Sequence, residues 1–361
     1  MRREDRHQSI RGRGAVTNPG GRFEGTRLEV ADDGWGSLEE PPRRPDTLIL
    51  ADRPRRAISR NSSPDVPFEQ SVNPYQGCEH GCIYCFARPS HSYWNLGAGL
   101  DFETRIFRKP GLAQRLAEEL SAPGYACTPI NLGANTDPYQ PAEREHGTTR
   151  SLLEVLLAHR HPVTVVTKGV LILRDLDLLA ALAERRLCSV AVSLTTLDDD
   201  LKCVLEPRAA APRARLRVIR ELVSAGVPVT VLLAPVIPAL NDHEIEALVE
   251  AAAAAGASNA AFMPLRLPHE LGALFEQWLR EHYPDRADRV LNLLRDLRGG
   301  RLNDPRFGHR MRGEGPYAAL LAARFAAACR RSGLDRARGP ELDRGQFRHD
   351  PDGPRQADLF A

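Results

Sequence analysis

The sequence contains few aromatic residues and no long apolar run. Phe, Trp and Tyr together make up 6% of its 361 residues, and no apolar stretch reaches the length that spans a membrane. The first residues, MRREDRHQSIRGRG, contain no apolar segment of the kind found in a signal peptide. We therefore expect a soluble, cytoplasmic protein with no membrane partner.

A strong charge of either sign is also lacking, since the formal net charge is +2 at pH 7. The overall charge therefore neither requires nor excludes a nucleic-acid partner, and only local basic segments bear on that question. Nearly all basic residues are arginines, the lysines being Lys109, Lys168 and Lys202. In a reducing cytoplasm, the clustered cysteines among the seven present are more typical of metal binding or catalysis than of disulfides.

The N-terminal segment differs in composition from the rest of the chain. Residues 1–60 are rich in Arg, Gly, Pro and Asp without apolar periodicity, which predicts a largely irregular segment. This segment is either a solvated tail or a loosely packed segment that wraps around the core. Alternatively, its residues RGRGAVTNPGGRF form a basic strap across a substrate. We expect the core in residues 64–300, and a loop, helix and tail in residues 301–361.

The central region alternates between two kinds of periodicity. Segments of helical periodicity separate six short apolar or β-branched runs, which are FEQSVN, CTPINLG, PVTVVTK, CSVAVSL, VPVTVLLAP and NAAFMPL. When each strand is followed by a helix, successive strands pair in parallel. This arrangement predicts a βα-repeat barrel or a doubly wound sheet. In both folds the functional groups lie at the carboxyl ends of the strands.

Three cysteines follow the first predicted strand in the segment NPYQGCEHGCIYC. Cys78, Cys82 and Cys85 have the spacing C-x3-C-x2-C. A structural zinc site needs four ligands, and His80 or His91 could supply the fourth. Three thiolates on one loop are better suited to a 4Fe-4S cluster whose fourth iron is open to a small-molecule ligand.

This motif, placed before a βα repeat, resembles that of the radical S-adenosylmethionine (SAM) enzymes. The resemblance implies a partial (β/α)6 TIM-like barrel of the α/β class, with an irregular N-terminal and a helical C-terminal extension. It also implies that Cys78, Cys82 and Cys85 hold a 4Fe-4S cluster whose unique iron is chelated by SAM. An electron from the cluster then cleaves SAM to a 5′-deoxyadenosyl radical, which requires a reductase or a flavodoxin- or ferredoxin-type electron donor.

Later segments resemble the spore photoproduct lyase-like branch of that family. These segments are GANTDPYQPAE, VTKG, SLTT, EPRAAAPRARL and LLAPVIPALND. The resemblance, which covers roughly residues 65–265, implies an adenine contact from Tyr84 and an adenine pocket lined by Leu233 and Ala234.

The same resemblance implies contacts to the rest of SAM. Thr136 and Asp137 would hold the methionine amino end, and Lys168 and Ser193 would bind the carboxylate or the ribose. The chemistry agrees, because an ammonium needs an acceptor and a carboxylate needs a cation. Taken singly, Asp137 could be a turn residue, Lys168 a solvated strand end and Ser193 a helix cap.

Two departures from the family limit the analogy. The Gly-Gly-Glu motif of many radical SAM enzymes has no counterpart in GANTD. Photoproduct lyases carry a hydrogen-donating cysteine two positions before the residue that aligns with Thr136, and here that position is Ala134. Glu206 and Arg208, in the segment EPR, would bind SAM or substrate, or form a surface ion pair.

The C-terminal loop NDPRFGHRMRGEGPY combines basic and aromatic side chains. Arg306, Arg310 and Arg312 lie near Phe307, a mixture that suits phosphates and bases unless the loop is a solvated connector. The leading hypothesis is therefore a radical SAM enzyme that abstracts hydrogen from an unidentified substrate, for which nucleic acid in a DNA-repair, lyase-like reaction is the leading class. The alternatives are radical modification of a peptide or small metabolite, and a non-catalytic zinc-binding module.

Overall fold

The computed structural model describes residues 10, 12–23, 46–334 and 340–351. Its strands are β1 (Leu48–Ala51), β2 (Ser59–Arg60), β3 (Gln70–Val72), β4 (Tyr75–Gln76), β5 (Arg105–Arg108), β6 (Ile130–Leu132), β7 (Val163–Thr167), β8 (Cys188–Ser193), β9 (Val229–Val236) and β10 (Asn259–Pro264). Its α-helices are α1 (Leu100–Thr104), α2 (Leu112–Leu120), α3 (Glu143–His146), α4 (Thr148–Ala158), α5 (Leu176–Glu184), α6 (Asp199–Leu205), α7 (Pro212–Ser224), α8 (Ile245–Ala254), α9 (Leu271–His282), α10 (Pro284–Asp296) and α11 (Gly315–Arg331).

The main sheet consists of seven strands in the order β10-β9-β8-β7-β6-β3-β2. All neighbours from β3 to β10 pair in parallel, and β2 adds to β3 as an antiparallel edge. The six parallel strands are those predicted, and they follow one another in chain order. A doubly wound sheet would reverse its order at a switch point, so this order identifies a partial (β/α)6 barrel.

The core lies between the main sheet and the helices outside it. Inner positions of α2, α4, α5, α7 and α8, all predicted from their periodicity, bury leucine and isoleucine side chains against alternate residues of the strands. In β9, for example, Val229, Val231 and Leu233 are buried in this core, whereas Thr230 and Leu232 are not part of it. The other face of the strands is thereby left for the inside of the barrel.

A small second sheet with the order β1-β5-β4 was not predicted. Its strand β1 lies in the segment that was expected to be largely irregular, and it pairs in parallel with β5. Residues 1–9, 11 and 24–45 of that segment lie outside the described residues. Strand β4 ends at Gln76, and one residue separates it from Cys78. The small sheet therefore adjoins the cysteine loop.

The C-terminal region forms two helices, a loop and a last helix. Trp278 and Phe275 of α9 belong to a second core cluster that also contains Ile83 of the cysteine loop. Helix α11 packs against α8, where Arg324 pairs with Glu246. Among the described residues, no helix combines the length and apolar character needed to cross a membrane.

Candidate active site

The three cysteines lie on a tight loop directly after β4. Cys78 and Cys82 are buried and Cys85 is partly exposed, and all three are free thiols. Gly77 and Gly81 have φ angles of +80° and +69°, a region that disfavours other residues. A Cβ atom at Gly81 would also lie 2.8 Å from a carboxylate oxygen of Glu103, so the loop requires glycine at this position for two reasons.

A buried ion pair fixes the backbone of this loop. Arg88 is fully buried and donates from Nε to the carbonyl of Cys82 at 2.8 Å and from Nη2 to the carbonyl of Gly81 at 3.1 Å. The same guanidinium pairs with Glu103, which also accepts hydrogen bonds from the backbone of Gly14 and Ala15. The described part of the N-terminal segment therefore lies against the cysteine loop itself.

Gly14→Ala should detach the N-terminal segment from the loop, because the added Cβ would lie 1.8 Å from the carbonyl oxygen of Gly81. Overpacking of this kind costs about 1 to 3 kcal/mol. We expect a lower unfolding temperature and faster loss of iron from the reconstituted protein. Gly272→Ala is the matched control. Gly272 lies in α9, where alanine favours the helix, and its added Cβ would be 3.6 Å from Leu302, an ordinary contact distance. Equal behaviour of both variants would contradict this account of the segment.

A cavity opens inside the barrel at the carboxyl ends of β6 to β10, with the cysteine loop as one wall. It encloses roughly 950 Å³ of space between atoms, a figure that includes space open to solvent. Nine of the ten predicted site residues line it: Cys78, Cys82, Tyr84, Cys85, Thr136, Asp137, Lys168, Ser193 and Ala234. The structure thus brings these nine residues together in one cavity.

The prediction that Leu233 lines the cavity is wrong. Its side chain is 1% exposed and belongs to the core between β9 and the helices, while Leu232 and Ala234 line the cavity. Neighbouring residues of a strand point to opposite faces, so an error of one position moves a residue out of the site. The sequence VLLAP is apolar at every position, so it could not reveal which of its residues face the cavity and which face the helices.

Thr136 and Asp137 are already occupied by hydrogen bonds within the protein. Thr136 donates to the carbonyl of Gly77 at 2.7 Å. Asp137 accepts from the hydroxyl of Thr167 at 2.6 Å, from the backbone N–H groups of Tyr139 and Lys168 at 2.8 Å, and lies 3.3 Å from Nδ1 of His80. These bonds tie the loops after β6 and β7 to the cysteine loop.

The carboxylate of Asp137 stays ionised in spite of its burial. Burial opposes ionisation, but the charge and hydrogen bond of His80, together with the bonds from Thr167 and Lys168, lower the pKa of Asp137 to about 2. The carboxylate therefore contributes a fixed negative charge to the wall beside Cys78.

A buried network around Glu206 was not predicted in this form. Glu206 is fully buried, pairs with Arg215, accepts from the hydroxyl of Tyr84, and accepts from Thr195 at 2.7 Å. Burial opposes its ionisation, but the charges of Arg215 and Lys168 lower the pKa of Glu206 to about 2. The segment EPR pointed to Glu206, whereas Arg215 gave no signal because it resembles the other arginines of α7.

Lys168 lies between this network and the cavity. Its Nζ is 3.9 Å from Oε1 of Glu206 and 5.8 Å from the centre of the Tyr84 ring. Arg208 pairs instead with Glu79 at 3.1 Å, and neither residue lines the cavity. Tyr84 and Lys168 are thus held in place by a carboxylate that does not itself line the cavity.

The spacing of the cysteines disfavours a single zinc ion. Zinc at about 2.3 Å from each sulfur requires ligand atoms within about 4 Å of one another. In the described part of the chain, the one set of three such ligand atoms within 4.8 Å contains none of the cysteines. His80 is engaged with Asp137, and Nε2 of His91 with the carbonyl of Arg105 at 2.9 Å. The thiols therefore fit a larger group better than one ion.

The thiols also need a positively charged partner to ionise. Burial, together with the charges of Asp137 and of the other two cysteines, raises the pKa of Cys78, and burial raises the pKa of Cys82 to about 12. A thiolate in such a place forms when a metal cation ligates it. This donor set fits an iron–sulfur cluster.

Two arginines of the C-terminal loop are already paired. Arg306 binds Asp304 at 2.7 Å and also Glu314, and Arg310 binds Asp65 while lying over the ring of Phe307. The loop therefore offers less free positive charge than its composition indicates.

Comparison with known proteins agrees with this geometry. Residues 72–252 match the family described as "Radical SAM superfamily". An uncharacterised protein of Mycobacterium tuberculosis (strain ATCC 25618 / H37Rv) is 38% identical over 232 residues, which cover 64% of this chain and 68% of the relative. An uncharacterised protein of Methanocaldococcus jannaschii is 25% identical over 246 residues, which cover 68% of this chain and 87% of the relative.

A solved structure is also similar in its fold. Spore photoproduct lyase complexed with dinucleoside spore photoproduct superposes with a TM-score of 0.58 over 80% of each chain, at 15% sequence identity. Such low identity concerns the fold alone. The match over half of the chain shows that this protein belongs to the radical SAM superfamily, an enzyme family that uses a 4Fe-4S cluster and SAM.

Proposed function

We propose that the cavity holds both cofactors and that the enzyme abstracts hydrogen from a nucleic acid. The observation that carries the proposal is the convergence of Cys78, Cys82 and Cys85 with Lys168 and Ser193 in one cavity. The cysteines would ligate the cluster through their sulfur atoms. When bound, the reduced cluster supplies the electron that cleaves SAM and begins hydrogen abstraction.

The cavity wall offers a suitable group for each part of SAM. Lys168 is a cation for the carboxylate, Ser193 a hydroxyl for the ribose, and Leu232 with Ala234 an apolar surface for the adenine. We infer that Tyr84, held by Glu206, packs beside the adenine.

The resemblance assigned Thr136 and Asp137 to hold the methionine amino end of SAM directly, and this proposal gives them a positioning role instead. Because their side chains are engaged with the protein, we infer that they position the wall facing the methionine amino end. Asp137 would also attract the ammonium group through its charge, while His80 of the cysteine loop lies against the same carboxylate.

The choice of nucleic acid rests on the fold and on one neighbour. Spore photoproduct lyase, which shares the fold over 80% of the chain, is described with a dinucleoside photoproduct. Ala134 lines the cavity where a photoproduct lyase carries a thiol, so hydrogen return from that position is absent from the proposed reaction. We infer a cytoplasmic setting with a reductase, flavodoxin or ferredoxin as electron donor.

Lys168→Met should weaken SAM binding and leave the iron content unchanged, because Lys168 contacts the cavity and does not ligate iron. Loss of a charged hydrogen-bond partner costs about 1.5 to 3 kcal/mol, or roughly tenfold to a hundredfold in affinity. Equilibrium dialysis with labelled SAM measures the change. Lys202→Met is the control, since the amino group of Lys202 donates to the carbonyl of Pro207 and does not line the cavity. Equal affinity in both variants would refute the assignment of Lys168.

The substrate class is tested by the rate of SAM cleavage. The reconstituted enzyme with dithionite is mixed separately with single-stranded DNA, duplex DNA, RNA and a peptide pool, and 5′-deoxyadenosine is quantified. We expect a nucleic acid to increase the rate, since substrate and SAM share one cavity. Stimulation by the peptides alone would transfer the proposal to peptide modification.

A further inference from the structure

Arg266 is a cationic side chain in the cavity that the cofactor assignments leave unused. It follows β10 and lines the cavity on the side of that strand. Among the described residues, Arg266 donates a hydrogen bond from Nη1 to the sulfur of Met311 at 3.2 Å, and sulfur is a weak acceptor. Within the described residues Arg266 forms no ion pair, and its Nε is buried without a partner.

This charge lies in an unfavourable environment. Burial and the neighbouring charge of Arg310 lower the pKa of Arg266. The carboxylate of Asp65 acts in the opposite direction, but it is already paired with Arg310. A partly buried, unpaired cation is costly, and an anionic ligand would offset that cost.

SAM does not provide the missing anion. It carries a single carboxylate, for which Lys168 is available near Ser193 at the carboxyl ends of β7 and β8. Arg266 comes from β10, two strands beyond β8 in the sheet. A second cation on this side of the cavity therefore suits a second ligand.

An exposed aromatic ring lines the same cavity. Phe86 follows Cys85 directly, lines the cavity and is 47% exposed. Exposed aromatic rings provide stacking surfaces for unpaired bases. The loop that carries Met311 is fixed beside Arg266, since Arg298 bonds both the carbonyl of Leu265 and that of Arg310 at 2.8 Å.

We propose that Arg266 and Phe86 form the substrate subsite, in which Arg266 binds a phosphodiester and Phe86 stacks on a neighbouring base. The inference rests on the proposed function, because it places a nucleic acid in the same cavity as SAM. It assigns recognition to two cavity residues rather than to the paired arginines of the C-terminal loop. The substrate would enter as a locally unpaired strand, since a base inside a duplex offers no face for stacking.

The test compares two probes on the anaerobic, SAM-loaded holoenzyme. One is the dinucleoside monophosphate TpT, and the other is its methylphosphonate analogue, which has no backbone charge. We expect wild type to bind TpT more tightly, and Arg266→Gln to lose about tenfold to a hundredfold in affinity for TpT but little for the analogue. Phe86→Leu should weaken both probes alike. Arg324→Gln, which removes a paired arginine of α11, is the control and should match wild type.

Several results would overturn the subsite. These are equal affinity of wild type for both probes, binding of neither probe, or an unchanged preference for TpT in Arg266→Gln. Weakened SAM binding in Arg266→Gln would assign the residue to the cofactor instead. The proposed function is tested separately by 5′-deoxyadenosine formation with dithionite alone. If wild type forms none, both proposals fail; if it does, only the probe results decide the subsite.

Discussion

Replacing Cys82 by alanine will abolish both the iron–sulfur cluster and the cleavage of SAM. The three thiols lie together on one loop whose backbone is held by Arg88, and no other cysteine lines the described cavity. Loss of one of three thiolates removes an iron ligand that the surroundings cannot replace. Iron and sulfide analysis after anaerobic reconstitution, with 5′-deoxyadenosine quantified after reduction, measures both effects.

Two other cysteines provide controls for this experiment. Cys188 is buried in β8 within the core, and Cys203 is exposed on α6. Cys188→Ala and Cys203→Ala should retain the cluster and the activity. Wild-type iron content in Cys82→Ala, or loss of iron in Cys203→Ala, would be incompatible with the assignment of the ligands.

Arg215→Met should destabilise the fold more than any substitution on the cavity surface. Arg215 is 2% exposed and pairs with the fully buried Glu206, so its removal leaves that carboxylate with Lys168, 3.9 Å away, as its nearest described cation. Breaking such a pair costs about 3 to 5 kcal/mol. Tyr84 and Lys168 would lose their support as well, and SAM binding should weaken. Denaturant unfolding of the cluster-free protein measures the stability without a contribution from iron.

The loss of stability should depend on pH in a defined direction. The ion pair lowers the folded-state pKa of Glu206 to about 2, so its contribution is present above an unfolded-state pKa of about 4 and disappears as pH falls towards 2. In Arg215→Met, burial would instead favour the neutral acid. The difference between wild type and variant should therefore be largest near neutral pH and shrink on acidification. A difference that does not change with pH would show that the pair is not the cause.

The sequence predicted features that depend on short segments. The cysteine motif is local, and the six strands and their helices each showed their own periodicity. Lys168 and Ser193 were chosen because they lie at strand ends, and both line the cavity since parallel strands bring their carboxyl ends to one edge. The assignment of Leu233 to the cavity was wrong because the sequence of a strand that is buried on both faces does not show which residues point to which face.

Features that depend on distant partners were not predictable. The sheet formed by β1, β5 and β4 requires pairing between segments far apart in the chain. In the pairs Arg88–Glu103 and Arg215–Glu206, the arginines look like ordinary surface charges in an arginine-rich sequence. Their role follows from burial, which only the fold determines.

The most direct test of the proposed reaction follows a single hydrogen atom. Reconstituted enzyme, SAM and dithionite are incubated with single-stranded DNA or RNA that carries deuterium on its non-exchangeable positions, and 5′-deoxyadenosine is analysed by mass spectrometry. The account predicts a mass increase of about one unit with one of these nucleic acids, and none with Cys82→Ala. Formation of 5′-deoxyadenosine that never acquires deuterium from any nucleic acid would contradict it.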